Sequence, residues 1–316
     1  MPELPEVEGF RRRLVPLIAG RPIERLRVLD EKLWRPAPGL AAGAVEGRRV
    51  RELDRRAKLI LFRLEGDLSL VLHLKIAGQL VFVSPDGRRA TGGHPYPLPG
   101  VALPEASTRF VLDFGPHGTL YVNDQRRFAW LRLLPAAEEG AFVAEQRYGP
   151  DPLDPEFTPE VLGARLWARR GRPVKAALLD QTCVAGLGNI YSDEVLHAAR
   201  IHPVVPAGDL TPGEVARLHG AIRRVLEVAV PVGGAVVKGQ SAVEDEATGA
   251  LQGGAPHGRD FLTAHGRAGE ACPTCLDGER VGADALPPRI VRQLLDGRGT
   301  YFCPVCQPAP RPMIDR

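Results

Sequence analysis

No stretch of the 316-residue sequence approaches the roughly 20 consecutive apolar residues that a membrane span requires, so a membrane partner is not expected. The chain also lacks a basic-then-apolar leader. Its first residues, MPELPEVE, are acidic, which argues against export and for the cytoplasm. Lysine is scarce. Of 41 basic residues only Lys32, Lys58, Lys75, Lys175 and Lys238 are lysines, and the rest are arginine. In such a chain a retained lysine marks a position where an amine can be required. Cysteine is equally sparing: Cys183 stands alone, and the other four form two CxxC pairs, Cys272/Cys275 and Cys303/Cys306. In a cytoplasmic chain, paired CxxC suggests metal before disulfides.

What is present points to a soluble globular protein of about two domains. The net charge of +3 is too small to prove a nucleic-acid partner. Its placement says more, because residues 1–150 carry 23 basic against 18 acidic side chains while the remainder carries 18 against 20. An arginine-rich half suits phosphate, although a coding or thermostability bias gives the same composition.

Leu4, Val7, Phe10, Leu14, Leu17 and Ile18 recur at helical spacing and Gly20 follows as a stop, so residues 3–19 read as an amphipathic helix. Pro5 fits its first turn, the early glutamates suit its positive end, and Pro16 is expected to kink or shorten its last turn. From about 21 to 134 the texture changes to short β-like runs at 59–64, 68–74, 78–83, 109–114 and 118–123, which suggests an antiparallel sandwich or barrel. Residues 84–106 read as a long loop. The Pro/Asp-rich segment 148–160 reads as a domain boundary, with helical patterns following at 159–169, 173–181, 189–200 and 211–230. Residues 239–259 are polar and Gly-rich and read as a loop.

CPTC and CPVC carry the sharpest chemistry. Four thiolates on two tight knuckles match a structural zinc site, and a closed four-thiolate site leaves no open position for catalysis. Two reactive dithiols are the alternative, but the sequence offers no thioredoxin-like setting for them. Between the pairs, RIVRQLLDGRGTYFCPVC reads as a hairpin turning at Asp296-Gly297. In LLDQTCVAGLGNIYSDEVL, two helical stretches flank a glycine-containing turn, with Asn189 at the expected N-cap. Such a turn can approach a phosphate, or it can be a plain helical hairpin. NDQRRFAWL places two arginines and a phenylalanine after a β-run, where they can wedge into DNA or simply pack locally.

MPELPEVE at the terminus, RRAK before a strand, RRF on a mid-chain loop, LLDQTCVAGLGNIYSDEVL and paired CxxC followed by Gln307 occur in one order. That combination resembles the formamidopyrimidine-DNA glycosylase/endonuclease VIII family of base-excision repair enzymes, from residue 2 to residue 307. The resemblance implies an α+β, two-domain fold: an N-terminal helix with an antiparallel β-sandwich (1–134), a linker (135–158), a helix–two-turn–helix domain (159–262), and a four-cysteine zinc finger with its tail (263–316). DNA is then expected in the cleft between the domains.

The same resemblance implies the roles of individual residues. Met1 is removed and Pro2 becomes an amine nucleophile, for which the positive end of the first helix is a favourable setting. Glu3 matches the acid/base position. Glu6 matches a second acidic position, or is a helix-dipole carboxylate. Lys58 is expected at the phosphate beside the lesion, although a lysine at a strand entrance is usually just solvated. Asn189 and Arg298 are expected on phosphate, and Cys272, Cys275, Cys303 and Cys306 on one Zn²⁺. Because a base cannot react inside the stack, it must be flipped out, and Arg126 and Phe128 match the residues that fill the gap. The third wedge is usually Met. HLKIAG places Ile76 there, a stiffer side chain that adapts less well. The 239–259 segment and the extended zinc-finger middle depart from the familiar pattern and leave base preference open.

The reading is a bifunctional DNA glycosylase/AP lyase acting on damaged double-stranded DNA as a monomer in the cytoplasm, at the nucleoid. Oxidised purines are the expected substrates. An endonuclease VIII-like enzyme for oxidised pyrimidines, a catalytically silent lesion binder and a zinc-ribbon module with an unrelated N-terminal domain are the alternatives.

Overall fold

The computed structural model describes residues 2–96, 100–235, 261–276 and 287–310. The expected loop 239–259 lies outside the described residues, as do the 277–286 part of the zinc-finger middle and residues 311–316. The chain forms two compact units, residues 2–147 with 229–235, and residues 148–228 with 261–276 and 287–310.

In the first unit, α1 spans Leu4–Ile18 and buries Leu4, Val7, Phe10, Leu14 and Ile18, the periodic face legible in sequence. Pro16 does not cut the helix short, since α1 runs on to Ile18. Ten strands follow: β1 (Pro22–Ile23), β2 (Arg25–Val28), β3 (Arg48–Arg56), β4 (Leu59–Leu64), β5 (Leu68–His73), β6 (Gly78–Val83), β7 (Arg89–Gly93), β8 (Thr108–Asp113), β9 (Thr119–Asp124) and β10 (Trp130–Pro135). They pair antiparallel into two five-stranded sheets, ordered β1-β3-β4-β5-β10 and β2-β8-β9-β6-β7. Alternate residues such as Phe62, Leu70 and Leu72 of the first sheet share one core with Phe82, Phe110, Leu120 and Val122 of the second, and with Phe10 and Leu14 of α1.

Two expectations need correction. The 84–106 loop contains β7, whose RATGG sequence is too short and glycine-rich to read as a strand and which is held by pairing along β6. The 135–158 linker is in part a built element. Its Ala136–Glu145 form α2, and Glu139 of that helix ties to the sheet by accepting from Arg63 Nε at 3.0 Å.

The second unit holds α3 (Pro159–Trp167), α4 (Val174–Leu179), α5 (Asn189–Ala199), most of α6 (Pro212–Ala229) and the hairpin β11 (Val291–Leu295) with β12 (Arg298–Phe302). The turn between α4 and α5 is stapled by Gln181. Its Oε1 accepts from Gly186 N at 3.0 Å, and its Nε2 donates to the carbonyls of Leu187 at 2.7 Å and Leu179 at 3.1 Å. The N-cap of α5 is Gly188, not Asn189 as expected, because the extended backbone that enters the helix lies one residue earlier. Asn189 is therefore the first helical residue. The hairpin turns at Asp296 and Gly297, both at positive φ (49° and 73°), as the Asp-Gly signal requires.

Candidate active site and metal centre

The first unit gathers Pro2, Glu3, Glu6, Lys58, Ile76, Arg126 and Phe128. Pro2, Glu3 and Glu6 are all buried at the amino end of α1. Glu3 is the N-cap, and its backbone N–H donates to Glu6 Oε2 at 2.8 Å. The other oxygen, Oε1, accepts the N–H of Ala235 at 2.8 Å, beyond Gly234, whose φ of +88° only glycine adopts readily. A Cβ at Gly234 would lie 2.1 Å from Glu6 Oε1. Glu6 thus fixes where the chain enters the helix and where the 229–235 segment meets it. The Glu3 side chain in turn accepts the Glu6 backbone N–H, completing a capping box, and the aligned peptide dipoles make this end of the helix backbone electropositive.

Lys58 is only 9% exposed, so it is not the merely solvated lysine that a strand entrance usually carries. It occupies the two-residue loop between β3 and β4, next to Ala57 at φ +53°. Its charge reaches His73. Burial, reinforced by the nearby ammonium groups of Lys75 and Lys58, pushes that imidazole down to about 3, so the ring is neutral. The neutral ring is useful, because its Nδ1 accepts the N–H of Lys75 at 2.8 Å and steadies the positive-φ turn that presents Ile76.

Ile76 is 41% exposed and Phe128 44%. Arg126 is exposed as well, with its guanidinium carbon 5.0 Å from the Phe128 ring centre. The loop that carries them is built on Asp124, which is fully buried. Its Oδ1 accepts from Arg126 N at 2.9 Å, and its Oδ2 from Phe128 N at 2.7 Å and Ala129 N at 2.6 Å. Arg109 Nε closes the cage by donating to the Asp124 carbonyl at 2.8 Å.

The second unit gathers Asn189, Arg298 and the four cysteines. The four Sγ atoms lie within 4.8 Å of one another and are buried, so they can hold a metal ion. Cys272 and Cys306 are 3.8 Å apart and Cys275 and Cys303 3.7 Å apart. A tetrahedron with Zn–S bonds of about 2.3 Å has S···S edges of about 3.8 Å, so the donor set fits zinc in size and chemistry. Gln307 locks the second knuckle, accepting from Cys303 N at 2.9 Å and donating to Ile201 O at 2.8 Å. His197 Nε2 lies 3.3 Å from Cys272 Sγ. Cys183 belongs to none of this. Burial lifts its thiol to about 11, which suits a small core residue and not a nucleophile.

Arg298 is exposed at the head of β12. Its neighbours are anchored to α4 and α5. The buried Lys175 ammonium donates to Asp193 Oδ1 at 2.7 Å, Thr300 Oγ1 at 2.9 Å and Gly299 O at 3.1 Å. Asn189 Nδ2 donates to the same Gly299 carbonyl at 2.9 Å, while its Oδ1 is buried without a hydrogen-bond partner. Lys175 is a residue that the sequence hinted at only through the scarcity of lysine. Asp124 had a local signal, an Asp two residues before a turn. Nothing local marks Arg109 or His73.

The model of the formamidopyrimidine-DNA glycosylase N-terminal domain matches residues 1–131, and that of the formamidopyrimidine-DNA glycosylase H2TH domain matches residues 148–241. The formamidopyrimidine-DNA glycosylase of Symbiobacterium thermophilum is 43% identical over 98% of this chain and 90% of its own length. That of Chloroflexus aurantiacus is 38% identical over 97% of this chain and 98% of its own. Among solved structures, wild-type Lactococcus lactis Fpg in complex with DNA containing N7-benzyl-Fapy-dG superposes with a TM-score of 0.78 at 27% identity, covering 98% of this chain and 100% of that one. A complex of LlFpg with a THF-DNA and an inhibitor gives 0.79 at 28% identity over the same shares. The chain belongs to the formamidopyrimidine-DNA glycosylase family.

Proposed function

We propose that this protein is a bifunctional DNA glycosylase/AP lyase of base-excision repair that removes oxidised purines, 8-oxoguanine and formamidopyrimidines, from double-stranded DNA. The observation that carries the reading is the amino end of α1, where Pro2 and Glu3 are buried on a helix start fixed by Glu6. Once Met1 is removed, Pro2 presents a secondary amine there, and the positive helix end disfavours its protonated form.

The amine lone pair attacks C1′ of the flipped nucleotide. The bond from C1′ to the base breaks and its electron pair leaves with the base, which takes up the proton that the newly attached Pro2 nitrogen gives up. Opening of the sugar by cleavage of C1′–O4′ leaves a cationic iminium on Pro2, and Glu3 protonates O4′. The iminium acidifies C2′, so loss of a proton there expels the 3′ phosphate. A second elimination expels the 5′ phosphate, and water finally releases Pro2. Lys58, Asn189 and Arg298 hold backbone phosphates at the lesion, while Arg126, Phe128 and Ile76 fill the space the base vacates. The metal held by the four cysteines is Zn²⁺, which when bound stiffens the knuckles that carry the Arg298 hairpin. Residues 1–134 supply the chemistry, and the helix–two-turn–helix (159–262) and zinc-finger (263–316) parts supply phosphate contacts. The protein acts as a monomer in the cytoplasm, at the nucleoid.

Intact mass followed by borohydride trapping tests this. Met-processed protein is expected to give a covalent adduct with duplex DNA carrying 8-oxoguanine, and Pro2→Gly with a blocked terminus is expected to give none. Absence of an adduct from the processed protein overturns the reading. A preference for competing duplexes carrying oxidised pyrimidines moves it to the endonuclease VIII-like branch.

A further inference from the structure

Glu8 lies one turn inside α1 and accepts hydrogen bonds from three arginines. Its Oε1 takes Arg11 Nη2 at 2.8 Å and Arg12 Nε at 2.7 Å, and its Oε2 takes Arg11 Nε at 2.9 Å and Arg55 Nε at 3.0 Å. The Glu8 and Arg55 side chains are only 6% and 7% exposed, so this is an ion pair with both partners buried. Neither residue has a role in the chemistry described above.

What they touch next is informative. Arg55 Nη1 donates to the carbonyl of Ala57 at 2.8 Å, and Arg11 Nη1 donates to the carbonyl of Leu53 at 2.9 Å. Both carbonyls belong to the end of β3 and the turn after it. Register pairs Arg56 with Leu59, so Ala57 and Lys58 form the whole β3–β4 loop. Ala57 sits at φ +53° and Lys58 is not at positive φ, the pattern of a turn whose first position favours glycine. An alanine there is strained by about 1 kcal/mol or more unless its surroundings hold it. The Arg55 guanidinium, bonded to the Ala57 carbonyl, is one group that does so.

We propose that Glu8 and Arg55 are positioning residues that fix Lys58 relative to the amino end of α1. The chain of contacts runs from the helix carrying Pro2 and Glu3, through the Glu8 carboxylate and the Arg55 fork, to the Ala57 carbonyl that precedes Lys58. Arginine is required because one planar fork must satisfy a carboxylate and a carbonyl together, which a lysine ammonium on a flexible stem does less well. The proposal rests on the glycosylase/lyase reading only for its consequence in catalysis. The placement of Lys58 stands on the geometry alone.

Arg55→Met and the milder Glu8→Gln are compared with wild-type protein in three measurements. These are single-turnover base release from 8-oxoguanine duplex, affinity for duplex with a tetrahydrofuran abasic analogue, and acetylation of Lys58 relative to exposed Lys32 by mass spectrometry. In both variants base release is expected to fall about tenfold while affinity changes by less than about twofold. Lys58 acetylation is expected to rise about threefold or more as the loop loosens. Adding Ala57→Gly to Arg55→Met is expected to bring both back towards wild type, because glycine keeps the turn without the clamp. Unchanged Lys58 labelling in both variants overturns the proposal, as does a loss that Ala57→Gly leaves untouched. If wild-type protein releases no base, the glycosylase reading fails by itself, and the labelling series still decides whether Glu8 and Arg55 position Lys58.

Discussion

The buried carboxylate of Asp124 accepts the backbone N–H of Phe128 at 2.7 Å, so a residue with no surface of its own sets the posture of an exposed aromatic. Asp124 also takes the N–H groups of Arg126 and Ala129. Three donors on one anion are charge-assisted bonds, each stronger than a neutral pair. Asp124→Ala strands all three and is expected to cost about 2–4 kcal/mol in urea unfolding. Asp124→Asn, which cannot accept with both positions, is expected to lose about half as much. If the RRF loop fills the space left by a flipped base, both variants slow base flipping, read by fluorescence of 2-aminopurine beside the lesion, more than they weaken binding to undamaged duplex.

Lys175 and Asp193 form a pair with both side chains fully buried. Removing Lys175 takes the ammonium counter-charge from the buried Asp193 carboxylate and leaves it the His265 imidazole, whose Nδ1 lies 2.7 Å from Oδ2. Lys175→Met is expected to destabilise the protein by about 3–5 kcal/mol, and Lys175→Met with Asp193→Leu by clearly less. Because the ammonium also holds Gly299 O and Thr300 Oγ1, both variants are expected to release the Arg298 hairpin. Faster amide hydrogen exchange along Val291–Phe302 checks this, with the double variant as protected as wild type being the contrary result.

Four cysteine sulfurs at tetrahedral spacing predict a stoichiometric metal. One Zn²⁺ per chain is expected by elemental analysis, and Co²⁺ substitution is expected to give the strong d–d bands of tetrahedral thiolate coordination. Cys303→Ser is expected to weaken zinc retention against a chelator and to lower the melting temperature. A metal-free protein with full stability contradicts the assignment.

Glu8 gives a pH signature. Burial by itself raises its carboxyl, but hydrogen bonds from Arg11 and Arg12 and the charges of Arg55 and Arg11 outweigh it and hold the group down at about 2, against an ordinary 4.5. A folded-state value below the unfolded one means the stabilisation is fully present above about pH 4.5 and is lost as pH falls towards 2. The shift corresponds to about 3 kcal/mol. The stability gap between wild type and Glu8→Gln is therefore expected to be flat above pH 5 and to close on acidification. A gap that does not depend on pH between 5 and 2.5 disagrees with this. Acid unfolding followed by circular dichroism measures it.

The parts of the molecule that were legible in sequence are those in which neighbours in the chain do the work. The apolar face of α1, the short apolar runs of β4 to β6, the Asp296-Gly297 turn and the CxxC knuckles all follow from local pattern or local turn chemistry. β7 and α2 were not legible, because RATGG has little propensity of its own and α2 sits in a segment whose Pro and Asp residues read as punctuation. Among the candidate site residues, Pro2, Glu3 and the cysteines were visible as motifs. Their supports were not. Arg55 reaches Glu8 across 47 residues, and Lys175 reaches Thr300 across 125.

The sequence by itself determined which side chains are chemically able to act as nucleophile, cation or metal donor, since an amine precursor at a helix start, a retained lysine and two thiol pairs are chemical identities that no folding changes. Tertiary structure decided how they are held. It buried Lys58, put Gly188 and not Asn189 at the cap of α5, and built the RRF loop on Asp124. The physical reason is range. Propensity, capping and turn preferences act over a few residues, whereas a buried charge is stable only where distant segments bring it donors or a counter-charge, and that arrangement exists only once the chain has folded.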